Sequence, residues 1–117
     1  MGHVWIDAEI FDLQKMRSKR IKGLADTGAT LTTIPQSLAN ELGIEVISEE
    51  KVETGAGLIK IKKGRAIIKI KEKEEVQAVW ISDVIDRVLI GSVTFEVLGF
   101  KLDPVTGKLE ERPLMLY

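Results

Sequence analysis

The sequence predicts a single-domain protein of the mainly β class with one or two short helices. Apolar and polar residues alternate in several short runs, and turns that contain glycine or proline separate these runs, as is typical of half-buried strands. Only two short segments fit a helix. The 117 residues suffice for one modest hydrophobic core, and nothing in them indicates a linker. We therefore expect one domain that spans residues 1–117.

The candidate strands follow one another along the chain. In the first strand, Val4, Ile6, Ala8 and Ile10 occupy alternate positions and so share one face. Residues 16–20 indicate the turn into a second strand. Further strands are predicted at residues 44–52, 65–71 and 75–81, with a hairpin tip at Gly55–Gly57, and a last hairpin joins residues 100–102 and 108–110 through a turn at Pro104–Gly107.

Two segments are predicted to be helical. In Pro35–Leu42, Pro35 suits the first turn of a helix and Gly43 suits the position after its end. In Ser92–Leu98, Ser92 is a candidate N-cap, and Gly99 is a candidate for the left-handed residue that closes a helix. Both helices are expected to be short.

Composition excludes several classes of function. The chain has 17 basic and 18 acidic residues and a formal net charge of -1, which argues against a nucleic-acid partner. There is no cysteine, and His3 is the only histidine, so neither thiol chemistry nor a Ser-His-Asp triad is available and no metal site is expected. No apolar run could span a bilayer and no signal-peptide pattern begins the chain, so we expect no membrane association and a cytoplasmic location.

The most informative motif is Asp26-Thr27-Gly28, which directly follows the apolar pair Leu24-Ala25. One reading of these three residue types is an ordinary β-turn. The other is catalytic, because two adjacent carboxylates share one proton and can then act as general base and general acid on a water and a carbonyl. The motif occurs once in the chain, so a second carboxylate would have to come from a second copy.

Two more features accompany the motif in a fixed order. The hairpin tip Gly55–Gly57 is followed by Leu58-Ile59-Lys60, and the apolar run Val88–Gly91 leads into a helix-compatible segment. Together with Asp26-Thr27-Gly28, they resemble the retroviral-type (retropepsin-like, single-lobed) aspartic proteases, and the chain looks like a cellular or prokaryotic member. The resemblance implies a closed, β-barrel-like acid-protease lobe that works as a homodimeric endopeptidase on a peptide or protein substrate. No cofactor is implied.

The resemblance also implies roles for individual residues. Asp26 is the catalytic carboxylate, the hydroxyl of Thr27 bonds across the dimer axis, and Gly28 brings its amide close to the carboxylate. The predicted substrate-binding residues are Ala29, Thr30, Leu31, Ile34, Gly55, Ala56, Gly57, Ile59 and Ile90. The hairpin at Gly55–Gly57 is expected to open and close over the peptide.

Two points remain open. The apolar tail Leu114–Tyr117 is either a strand of the dimer interface or a last strand over the core of its own chain. In addition, many retroviral enzymes carry an Asp–Arg ion pair at the positions of Thr30 and Ser92, and both partners are missing here together. These departures leave an alternative function, in which the protease-like fold binds peptides or assembles partners without cutting them.

Overall fold

The computed structural model describes residues 3–114 and 116. Within these residues the chain forms strands and two short helices in a fixed order. The elements are β1 (Trp5–Phe11), β2 (Ser18–Ala25), β3 (Thr33–Pro35), α1 (Gln36–Leu42), β4 (Ser48–Thr54), β5 (Gly57–Ile70), β6 (Lys73–Ser82), β7 (Leu89–Ile90), α2 (Ser92–Leu98), β8 (Phe100–Leu102) and β9 (Leu109–Glu111). The predicted mainly β class is therefore confirmed. None of the helices in the described part of the chain has the length and apolar character needed to cross a membrane.

The strands close on themselves. The main sheet has the order β1-β2-β7-β3-β6-β5-β4, and β1 also pairs with β5 through Glu9↔Lys69, Ile10↔Ile68 and Phe11↔Ile67. This additional pairing joins β1, β2, β7, β3, β6 and β5 into a ring, while β4 extends outward from β5. A closed ring leaves few exposed strand edges and encloses the core.

Alternation along the strands places the core inside this ring. In β1, Ile6, Ala8 and Ile10 are buried while Trp5 and Asp7 are exposed, as the sequence predicted. The core continues through alternating residues of β5 and β6 and is closed at its ends by α1 and α2, which contribute Leu42 and Phe95 among others. Because the strand period is two, this one-sided burial also sets the register between neighbouring strands.

β5 is much longer than the predicted strand at residues 65–71. Its second half pairs with β6, whereas its first half pairs with β4 to form a hairpin arm (the β4–β5 arm, residues 48–63). Thr54 pairs with Gly57, so Gly55 and Ala56 form the two-residue turn at the tip, and Gly57 has a φ of 108°. The hairpin tip was predicted correctly. Side chains near the tip are exposed, so the arm stands away from the core.

The helix ends agree with the sequence at their C-terminal sides only. Gly43 and Gly99 adopt left-handed conformations with φ values of 69° and 74°, as predicted. Pro35 does not lie in the first turn of α1 but is its extended N-cap residue. The predicted cap at Ser92 is wrong, because Gly91 is the N-cap of α2 and Ser92 is already helical with no capping side-chain bond.

Three strand boundaries also differ from expectation. β4 begins at Ser48 rather than at Ile44, because Ile44 packs into the core and its N–H bonds to the carbonyl of Ala39 at the end of α1. Ser18–Arg20 already belong to β2, and the turn before it is closed by Asp12, whose carboxylate accepts the N–H of Arg17 at 2.8 Å. Lys71, with a φ of 57°, separates β5 from β6.

The C-terminal region contains the predicted hairpin. β8 and β9 pair in a separate two-stranded sheet, and Asp103 organises the turn by accepting the N–H of Val105 at 2.9 Å. The prediction for the apolar tail falls partly on Met115 and Tyr117, which lie outside the described residues. Leu114 and Leu116 belong to no strand and are exposed, so these two side chains do not cover the core.

Candidate active site

Asp26 lies where two parallel strands end together. Leu24 and Ala25 at the end of β2 pair with Leu89 and Ile90 of β7, and the N–H of Asp26 donates to the carbonyl of Ile90 at 2.9 Å. Ala29 then donates its N–H to the carbonyl of Asp26 at 3.0 Å, which closes a tight turn over residues 26–29. The chain therefore reverses directly after the core strand, with Asp26 half-buried and Thr27 exposed.

The loop after Asp26 (the Asp26 loop, residues 26–31) rests on the start of α2. Ser92 donates its N–H to the carbonyl of Ala29 at 2.8 Å, and Val93 donates to the carbonyl of Thr30 at 3.0 Å. These bonds use N–H groups of the first helical turn, which have no partner inside the helix. The loop is thus fixed by main-chain contacts to a packed element rather than left free in solvent.

Gly91 allows this close approach. A Cβ atom at Gly91 would lie 2.5 Å from both the carbonyl carbon and the carbonyl oxygen of Leu31. Backbone atoms cannot move away easily, so any side chain here would push the Asp26 loop off the helix. Gly28 is different, because a Cβ there would meet only Oδ1 of Asp26, at the ordinary distance of 3.5 Å. Gly28 thus lies beside the carboxylate, and the predicted approach of its amide to that group stays a prediction.

A series of buried side-chain hydrogen bonds beneath the loop was not predicted from the sequence. Thr32 Oγ1 accepts the N–H of Gly91 at 3.1 Å and lies 2.6 Å from Thr94 Oγ1, which donates to Gln77 Oε1 at 2.8 Å. Thr94 stands on the core-facing side of α2 beside Phe95 and Leu98. A threonine among apolar residues on that face was the one signal that could have pointed to it.

Seven of the nine predicted substrate-binding residues lie in two regions. Ala29, Thr30 and Leu31 lie in the Asp26 loop, whereas Gly55, Ala56, Gly57 and Ile59 lie at the exposed tip of the β4–β5 arm. Among the hydrogen bonds formed by the described residues, none joins the arm's tip to the Asp26 loop. The roles of both regions in binding stay predictions.

Two of the predicted pocket residues are corrected by the structure. Ile34 is 0% exposed and Ile90 is 1% exposed, and both belong to the hydrophobic core. Ile90 also packs closely against Gly23, where a Cβ atom would lie 2.7 Å from its side chain. They act as core residues behind the loop, because inward-facing positions of the closed ring have no access to a cleft.

Polar contacts of Glu50 join the β4–β5 arm to the ring. The carboxylate of Glu50 on β4 accepts a hydrogen bond from Trp80 Nε1 at 2.6 Å and another from Lys63 Nζ at 3.4 Å. The indole hydrogen bond, assisted by the charge of Lys63, lowers the pKa of Glu50 below its usual value. The main-chain N–H of Trp80 donates to the carbonyl of Thr32 at 2.9 Å, so Trp80 joins the arm to the residue that follows the Asp26 loop.

The charges around Asp26 are sparse. Among residues 3–114 and 116, no basic side chain pairs with Asp26 within 4.0 Å, and no group of three or more acidic or histidine side chains is placed to hold a metal ion. What the site offers chemically is therefore one half-buried carboxylate in a rigid, partly exposed turn.

A closed β ring with an Asp-Thr-Gly turn at the end of paired strands defines a single-lobed acid-protease fold. The sequence matches the family model described as aspartyl protease over residues 6–94, which is more than half of the chain. The chain therefore belongs to this aspartyl protease family. A comparison with curated proteins gave no significant match.

Solved structures of similar fold support the same class. The EIAV protease in complex with the inhibitor HBY-793 has a TM-score of 0.66 at 18% identity, over 87% of this chain and 93% of that chain. A retropepsin-like aspartic protease from Rickettsia conorii has a TM-score of 0.62 at 24% identity, over 87% and 77%. The retroviral protease-like domain of Ddi1 from Leishmania major has a TM-score of 0.62 at 13% identity, over 95% and 85%. Identities this low show the fold alone, and the predicted retropepsin-like fold is confirmed.

Proposed function

We propose that this protein is an aspartic endopeptidase whose active site forms between two copies of the chain. The observation that carries the proposal is the Asp26 turn itself. It places one carboxylate at the end of two paired core strands and anchors it on α2 through main-chain hydrogen bonds. Because the chain has only one Asp-Thr-Gly motif, a homodimer would supply the second carboxylate.

The chemistry then follows from the paired carboxylates. Two Asp26 side chains held close together cannot both ionise cheaply, so they keep one proton between them. The ionised carboxylate takes a proton from a water, whose oxygen attacks the carbonyl carbon of the scissile bond. The protonated carboxylate donates a hydrogen bond to the carbonyl oxygen. A carboxyl proton then passes to the nitrogen of the tetrahedral adduct and the C–N bond breaks, which gives a carboxylic acid and an amine with no covalent bond between enzyme and substrate at any step.

The substrate would be an extended polypeptide. On the floor, the N–H of Thr30 is not used in the loop's own hydrogen bonds, and with main-chain groups of Gly55, Ala56 and Gly57 on the arm it would pair with the peptide as with an added strand. Leu31 and Ile59 would contact its side chains. The EIAV protease of similar fold is described in complex with an inhibitor, which supports a ligand site in this fold.

The decisive experiment is digestion of a mixed peptide library by the wild type and by Asp26→Asn, from acid to neutral pH. We expect the wild type to cleave most rapidly under mildly acidic conditions, because one proton must remain on the pair. Asp26→Asn should abolish cleavage while its circular dichroism and thermal unfolding stay unchanged. Equal cleavage by the two purified proteins would refute the assignment.

A second candidate function is peptide binding or assembly without cleavage. It is favoured by Thr30 and Ser92, which replace the ion pair found in many retroviral enzymes. Sedimentation separates the two functions, because a strict monomer at micromolar concentration would leave half a site and favour binding.

A further inference from the structure

We propose that Thr32, Thr94 and Gln77 are positioning residues for Asp26, acting through the Asp26 loop; this inference rests on the proposed function. Their side chains join three elements: the segment that leads into β3, the helix α2 and the strand β6. All three side chains are buried, with exposures of 1% for Thr32, 1% for Thr94 and 6% for Gln77.

The Gly91 N–H and the Gln77 side-chain oxygen, at the two ends of this series of hydrogen bonds, determine which group donates in each bond. The N–H of Gly91 can only donate, so Thr32 Oγ1 accepts there, while Thr94 Oγ1 donates to the carbonyl oxygen of Gln77. The Thr94 proton is thereby used, and Thr32 must donate to Thr94 across the 2.6 Å contact. Each hydroxyl donates one hydrogen bond and accepts one, so valine at either position would interrupt the series.

The chain of bonds ends at Gln77, whose Nε2 is buried and has no partner among the described residues. Leaving a buried amide donor unpaired costs free energy. A purely apolar residue at this place in β6 would avoid that cost. The side-chain oxygen of Gln77 explains why a glutamine is present here, because it holds the Thr94 hydroxyl in one orientation.

These hydrogen bonds are connected to Asp26 through Gly91. Gly91 lies between Ile90, whose carbonyl accepts the N–H of Asp26, and Ser92, whose N–H donates to the carbonyl of Ala29. A shift of Gly91 therefore moves both anchors of the loop together. Thr32 is the side chain that binds Gly91 directly, so it sets the distance between the loop and α2.

The test measures kcat and KM for Thr32→Val, with Thr33→Val as matched control. Thr33 is the next residue and is buried, but its hydroxyl has no side-chain hydrogen bond within the described residues. We expect Thr32→Val to lower kcat by about 10-fold or more with KM changed less than about twofold, since a small displacement of a reacting group is felt mainly in the transition state. Thr33→Val should keep wild-type kcat. Thr32→Ser, which keeps the hydroxyl, should restore kcat to within about threefold of the wild type.

Amide hydrogen exchange tests the proposal without any substrate. Exchange at Asp26–Leu31 should be faster in Thr32→Val than in Thr33→Val and should return to the wild-type rate in Thr32→Ser. If Thr32→Val does not fold, Gln77→Met is the second variant, because it affects the loop only through the two hydroxyls and also removes the unpaired amide. Unchanged loop exchange in both variants overturns the positioning role. An inactive wild type with the expected exchange pattern refutes the protease assignment alone.

Discussion

At the scale of single residues, the site depends on how closely main chains approach one another. Gly91 lets the carbonyl of Leu31 lie where a side chain would be, and Gly28 lies against the carboxylate with room to spare. The sequence alone predicts that both glycines lie in turns. Only the distances from each glycine to its neighbours show that one is required by packing and the other is not.

We predict that Gly91→Ala destabilises the protein by about 1–3 kcal/mol, because the added methyl meets backbone atoms at 2.5 Å. The matched control is Gly55→Ala at the hairpin tip, where nothing lies within 4 Å of the added Cβ and φ is not positive. Urea unfolding at one fixed protein concentration gives both values. Equal midpoints for the two variants would contradict the packing argument.

At the scale of elements, the β4–β5 arm is held at its base by polar contacts. Glu50 receives hydrogen bonds from Trp80 and Lys63, while the tip beyond Thr54 is bonded only within its own turn in the described structure. The arm is thus anchored near the ring and free at its end. A hinge near its base and a mobile tip are what an arm that covers a bound peptide needs.

The anchor is expected to respond to pH. The folded pKa of Glu50 is lowered, so its stabilising contribution is present at neutral pH and is lost as the pH falls through that lowered pKa. In a Trp5→Phe background, where Trp80 is the remaining tryptophan, indole fluorescence should change with a midpoint below the usual glutamate value of about 4.3.

The control for this titration is Glu50→Gln in the same background. Glutamine keeps a carbonyl oxygen as acceptor for the indole but does not titrate, so the acid transition should disappear. A transition of the same midpoint in both proteins would assign it to another group and remove Glu50 as the pH-sensitive anchor.

At the scale of the whole molecule, one chain forms a closed ring of strands but contains only one Asp-Thr-Gly motif. The pairing of β1 with β5 closes the ring, so a single copy encloses its own hydrophobic core. The proposed chemistry nevertheless requires a second Asp26. The protein is therefore expected to be a folded unit whose activity depends on association rather than a chain that folds only as a dimer.

Mixing experiments test this dependence. Wild type incubated with an equal amount of Asp26→Asn should lose about one half of its activity, because about half of the wild-type chains would then sit in mixed dimers with one carboxylate. Adding the same amount of Asp7→Asn, a change on the exposed face of β1, should increase activity instead. Activity unaffected by excess Asp26→Asn would show that each chain works alone.

The local features can be predicted from the amino-acid sequence: the mainly β class, the hairpin tip at Gly55–Gly57, the glycines that end both helices, and the Asp-Thr-Gly turn after an apolar strand. Each depends on residues close together in the chain, whose conformational preferences can be read directly. The tertiary structure alone decided that Ile34 and Ile90 are core residues, that Gly91 supports the loop, and that Thr32, Thr94 and Gln77 meet beneath Asp26. These depend on contacts between residues far apart in sequence, and no local preference specifies which strands will be neighbours in a closed ring.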